Sequence, residues 1–113
     1  MSANVKVVNL LGDLTLSTVD ERAEEIRRSL ESAPMVLLSL SRTTGIDLAG
    51  IQLLYAARRY AEKAGRSLHI TGSVAEPVAQ KLFKCGFTES LIRQGRDLDE
   101  NLRGFSSEAA RDA

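Results

Sequence analysis

The sequence predicts an α/β domain: a central mixed, mostly parallel sheet of about four to five strands flanked by about four helices. Three observations predict it. Short β-branched and aliphatic runs alternate with longer segments of helical apolar spacing. One run, Met35 to Leu40 (MVLLSL), is nearly continuous in apolar residues and too short for a helix, as suits a central strand covered on both faces. No linker or internal repeat interrupts the alternation, which argues for right-handed crossovers with partners or ligands met beyond the carboxyl ends of the strands.

Along the chain, Val5 to Leu11 predicts an edge strand, and Gly12-Asp13 followed by Leu14-Thr15-Leu16 predicts a short hairpin. Thr18 to Glu21 has the form of a capping box. The helix that follows carries Val19, Ala23, Ile26 and Leu30 on one apolar stripe, is otherwise charged, and ends at Pro34. After Met35 to Leu40, GIDLAG leads into a helix that runs to about Ala64, where Gly65 suits a left-handed cap. Leu68 to Thr71 is a strand, and Ser73 or Glu76 caps the next helix, with Pro77 in its first turn. Val78, Leu82 and Cys85 form that helix's buried stripe, Gly86 stops it, and Phe87 is placed to contact Leu82. Leu91-Ile92 predicts a short last strand, and Asp97 to Glu100 the cap of a final helix carrying Leu98, Leu102 and Phe105.

The 113 residues, 43% hydrophobic and 27% charged, suit one small domain with one core. It is expected over residues 1–105, with SSEAARDA (106–113) as a disordered tail that has nothing to bury. Fifteen basic and fifteen acidic side chains cancel, so no bulk field draws the chain to nucleic acid or an anionic membrane, and partners must be recognised by shape. The start, MSANVKVV, lacks a charged segment followed by an apolar one, and no apolar run nears the roughly 20 residues of a membrane span. The expectation is a cytoplasmic protein without membrane insertion. The lone Cys85 excludes an internal disulfide and a Cys-pair zinc site.

The order of elements and the stretches LLGDLTL, VLLSLSRTTGIDLAGIQLL and HITGSVAEPVAQKLFKCGF resemble the STAS family, the domain of anti-sigma factor antagonists and of sulfate-transporter tails, over about residues 5 to 92. In that family the strand ends in Asp-Leu and the helix opens on Asp-Ser-Ser-Gly-Leu, the second Ser being phosphorylated by a partner kinase. Aligned on Asp47 and Gly50, the acceptor falls on Ala49, the preceding Ser on Leu48, and the strand's Asp on Ser39. Asp47 can cap the helix and Gly50 can let it approach its neighbours closely. Alanine has no oxygen to phosphorylate, so a switch adding nearly two negative charges cannot act there. Ser41, Thr43 and Thr44 are the alternative acceptors, although hydroxyls in such a turn also serve its own backbone.

On a helical wheel, Gly50, Leu53, Leu54, Ala56, Ala57, Tyr60, Ala61 and Ala64 share a broad core side. The other side holds Arg58, Arg59 and Glu62, together with Ile51 and Tyr55 four residues apart, which predicts an apolar pair on the surface. The resemblance places partner contacts on this helix and its turn. The expected contact surface is therefore Asp47, Leu48, Ala49, Gly50, Ile51, Tyr55 and Arg58.

No phosphate loop, metal-ligand spacing or nucleophile elbow accompanies His69, Cys85 and Asp47, so no catalytic residue, metal or cofactor is expected. The function read from the resemblance is a non-enzymatic interaction module. Its partner would be an anti-sigma factor of the switch-kinase type or another signalling kinase, without phosphate control at the usual Ser. Alternatives are an accessory STAS subunit of a chemotaxis kinase or of a phospholipid-transport complex. A reading of another class is a nucleotide-binding domain, in which HITGS and Arg42, Arg66 or Arg93 would hold an anion. A homodimer is compatible with each.

Overall fold

The computed structural model describes residues 4–105, so the segment 106–113 expected as a tail lies outside the described residues. Nine elements follow in chain order: β1 (Val5–Asn9), β2 (Gly12–Leu14), α1 (Val19–Ser32), β3 (Met35–Ser39), β4 (Thr43–Ile46), α2 (Leu48–Lys63), β5 (Ser67–Thr71), α3 (Glu76–Lys84) and α4 (Gly95–Asn101). The expected α/β alternation is observed, and β3 is the central strand of a parallel sheet ordered β1-β3-β5.

The hairpin does not form. Gly12, with φ of 76°, bends the chain without reversing it. Leu10 N–H then donates to the Ser39 carbonyl at 3.1 Å and Gly12 N–H to that of Arg42 at 3.0 Å. The Thr43 hydroxyl donates to the Leu10 carbonyl at 2.6 Å. These bonds keep residues 10–14 alongside the β3–β4 segment, so β2 pairs with β4 in a second, two-stranded sheet that is also parallel. Among the described residues the named strands therefore pair only in parallel, where a mixed sheet was expected.

Parallel pairing with right-handed crossovers sets α1 and α2 side by side on one face of β1-β3-β5. Val8, Val36, Leu38, Leu68 and Ile70 alternate along the strands and are buried, together with Ile26 and Leu30 of α1 and Ile51 and Leu54 of α2. Each such side chain contributes roughly 1.5–3 kcal/mol on leaving water. On the alternate strand positions Val5 and Val7 are exposed and Leu37 is half-buried.

Several local expectations are corrected. Thr18 makes no side-chain cap; its hydroxyl accepts from Thr15 N–H at 3.0 Å and lies within donating distance of the Asp13 carbonyl, closing the loop before α1. Ala75, rather than Ser73 or Glu76, is the cap residue of α3. Cys85 is exposed because it is the residue that ends α3, beyond the turns that bury Val78, Ala79 and Leu82. Leu91-Ile92 forms no strand; one antiparallel bridge, Ser73 to Gln94, ties that segment down. α4 begins at Gly95 after Gln94, ahead of the expected Asp97. Both glycine stops hold as read: Arg66 N–H donates to Ala61 and Phe87 N–H to Leu82, the long bonds of a Schellman cap, around left-handed Gly65 and Gly86.

Candidate functional site

The turn between β4 and α2 is held by one carboxylate. Asp47 has extended backbone, with φ of −117° and ψ of −174°, and caps α2 by accepting from Gly50 N–H at 3.0 Å. Its second oxygen accepts from Leu16 N–H at 3.1 Å, and its own N–H donates to the Leu14 carbonyl at 3.2 Å. One residue thus ties the start of α2 to the loop after β2. The Gly50 and Leu16 amides hold its carboxyl below the ordinary carboxylate range. Gly50 is buried against the same strand: a Cβ there would meet the Leu14 carbonyl oxygen at 2.1 Å and Ile46 Cγ1 at 2.8 Å. It is a buried fixed point of the scaffold.

The outward result is an apolar pair. Leu48, the first residue of α2, is 55% exposed, and Leu16, anchored through its amide to Asp47, is 75% exposed. Ala49 is half-buried beside them.

The flank of α2 expected as the contact surface faces inward. Ile51 is fully buried in the core. Tyr55 is half-buried; its ring lies 5.9 Å from Phe87 and 5.6 Å from Phe105, and its hydroxyl donates to the Arg103 carbonyl at 2.5 Å. That burial raises the phenol above its ordinary range and keeps it a donor. Arg58, 9% exposed, lies over the Phe105 ring at 4.7 Å and reaches the Leu68 carbonyl at 3.3 Å, Asp99 at 3.4 Å and Glu62 at 3.3 Å. The cause is a distant segment: α4 and the residues up to Phe105 cover this side of α2. The side read as core is in turn partly open. Tyr60 and Ala56 are exposed and Leu53 is half-buried in a groove against α1.

The alternative acceptors separate. Thr43 is 1% exposed with its hydroxyl committed to Leu10, so it is closed to a kinase in the fold. Ser41 and Thr44 are exposed, bonded to the Ser39 hydroxyl at 2.9 Å and to Asp13 at 2.6 Å. Of the residues of the anion reading, Arg42 and Arg93 lie in segments that border HITGS, whereas Arg66 is at the opposite end of β5. Arg42 is in the turn before β4, Arg66 precedes β5, and Arg93 pairs at 2.9 Å with Glu76 at the start of α3. Gly72 turns its carbonyl to Gly95 N–H at 2.6 Å.

Asp99 was missed. Read as part of a helix cap, it instead accepts from Ile70 N–H at 2.9 Å and lies 2.9 Å from His69 Nδ1, closing the outer edge of β5. Its place inside the run Asp97 to Glu100, on the helix later found to flank β5, was the available signal. Leu16 was missed because a hairpin would have paired it. Among the described residues no group of three His, Cys, Asp or Glu side chains could hold a metal ion, and no helix is long and apolar enough to cross a membrane.

Comparisons with known proteins agree with the fold. A family model described as "Mlab, STAS domain" matches residues 1–92. No curated protein sequence matches the chain. Among solved structures, the anti-sigma factor antagonist SpoIIAA in its unphosphorylated form superposes with a TM-score of 0.59 at 17% identity, covering 76% of each chain. The STAS domain of a SulP transporter from Vibrio cholerae has a TM-score of 0.57 at 20% identity, covering 98% of this chain and 85% of that one. A sulfate transporter family protein from Wolinella succinogenes has a TM-score of 0.58 at 22% identity, covering 80% and 75%.

Proposed function

We propose, given that this chain belongs to the STAS domain family, that it is a non-enzymatic interaction module of the anti-sigma factor antagonist kind. It docks on a kinase-like or other signalling protein through the start of α2. The observation that carries this reading is the exposure of Leu16 and Leu48 on two backbone segments that the Asp47 carboxylate ties together through the Leu16 and Gly50 amides. Apolar side chains carried on backbone that is ordered before binding spare the cost of ordering that backbone on docking, which favours an interface centre. Asp47 and Gly50 set the shape of the surface, while Leu16, Leu48 and Ala49 touch the partner. Ile51 and Arg58 belong to the core and Tyr55 to its edge, and they leave the contact surface.

Ala49 stands where the family resemblance puts the phosphorylated hydroxyl, so the module binds constitutively with respect to that position. Control by phosphate, if the source cell uses it, falls on Ser41 or Thr44. The match to the Mlab model makes an accessory subunit of a larger complex the second reading, with the same surface in use.

Affinity capture from a lysate of the source cell, with the bound protein identified by mass spectrometry, tests the proposal. The parent chain is expected to retain one protein that the doubly substituted Leu16→Ser, Leu48→Ser chain loses, a change of about 1–3 kcal/mol in binding. A kinase-like protein as the retained species supports the first reading; a transport-complex or chemotaxis component supports the second. Retention by the double variant removes Leu16 and Leu48 from the interface.

A further inference from the structure

The groove between α1 and α2 has a volume of about 280 Å³. Its floor is Ala23, Ala56 and Ala57, its walls include Ile26 and Leu53, and Tyr60, 42% exposed, stands at its side. The two rims differ in charge. On α1, Asp20, Glu24 and Glu31 outnumber Arg27 and Arg28; Arg27, which itself lines the groove, bridges to Glu24 and, at 2.5 Å, to Glu31. On α2, Arg59 and Lys63 lie one turn from Ala56 and Tyr60, are exposed, and form no ion pair among the described residues.

An apolar trough with one acidic and one basic rim is complementary to itself. We propose that it is the contact surface for a second copy of this chain, in a twofold dimer whose axis runs along the groove. Rotation about that axis sets the acidic α1 of one copy over the basic α2 of its partner, twice by symmetry. An axis lying across the groove would set α1 on α1, like charge on like, and is disfavoured. The alanine floor leaves room for the partner copy's Tyr60 ring, so each aromatic side chain fills the other copy's groove. The surface is separate from Leu16 and Leu48, and the proposal stands whether or not those residues bind a partner. Because the rims lie in water, the dimer weakens as salt rises.

Sedimentation equilibrium of the full chain over a wide concentration range tests this, with circular dichroism to confirm that each variant is folded. The parent chain is expected to be a concentration-dependent dimer. Glu24→Lys with Glu31→Lys makes both rims basic, and Arg59→Glu with Lys63→Glu makes both acidic. Each variant alone is expected to dimerise at least about tenfold more weakly, as several exposed pairs are reversed together. Mixing the two restores both opposed rims, so a mixed dimer near the parent's strength is expected. Tyr60→Ala, which leaves every charge in place, is expected to weaken the dimer as well. A parent that stays monomeric at millimolar concentration, reversed variants that dimerise like the parent, or a mixture that gives no mixed dimer would each overturn the proposal.

Discussion

Asp47 joins three segments through backbone donors, and its chemistry follows from them. Its carboxyl is held below the unfolded value by the amides of Gly50 and Leu16, so its contribution to folding is complete above the unfolded carboxylate value and is lost as pH falls through the folded one. Asp47→Asn keeps a capping oxygen without the charge. The stability advantage of the parent over this variant, measured by urea titration, is expected to be steady above about pH 5, to begin falling near the unfolded carboxylate value of about 4, and to be lost only below it as the folded carboxyl takes up its proton. An advantage that persists unchanged at the acid end of that range contradicts this role. Gly50 is constrained by space: Gly50→Ala drives a methyl into the Leu14 carbonyl oxygen, which lies 2.1 Å from the Cβ position. The strand and helix start must part, at a cost of about 1–3 kcal/mol, even though alanine favours helix. A neutral or stabilising result in the same titration would show that the approach is not needed.

At the scale of elements, α2 shows what a periodic pattern conveys. The spacing of its apolar residues and the stop at Gly65 were legible, because helix period and cap chemistry are local. Which side would be buried was not, since α2 is apolar on more than one side. The choice is made by Phe105, Asp99 and Arg103, some forty residues and more along the chain from Tyr55 and Arg58. These residues clasp α2 to α4 and β5, so they act on stability. Arg58→Ala leaves Asp99 with one cation fewer and uncovers the Phe105 ring, and is expected to cost about 2 kcal/mol or more. Tyr55→Ala opens a cavity between two rings and is expected to cost about 3 kcal/mol. Thermal unfolding followed by circular dichroism measures both. Parent-like melting of either variant would return that residue to the list of surface candidates.

Across the whole molecule, α/β alternation and the nearly continuous apolar run of β3 were enough for the fold class, because so short a run suits the middle strand of a parallel sheet; its expected cover on both faces is incomplete, since Met35 and Leu37 stay half-buried beside exposed Val5 and Val7. The division into two parallel sheets was hidden. Gly12 is ordinary hairpin chemistry in isolation, and only Ser39, Arg42 and Thr43 across the gap redirect it. That division places the loop after β2 beside the start of α2, so that exposed Leu16 is bonded through its amide to Asp47, the residue before exposed Leu48. The most direct measurement is capture of the partner by Ala49→Glu set beside that variant's unfolding curve. A carboxylate in the first turn of α2 favours the helix by about 0.3–1 kcal/mol, so stability is expected to hold or rise slightly while the charge amid the apolar pair abolishes capture. A variant that is equally stable and still retains the partner would contradict docking at the start of α2.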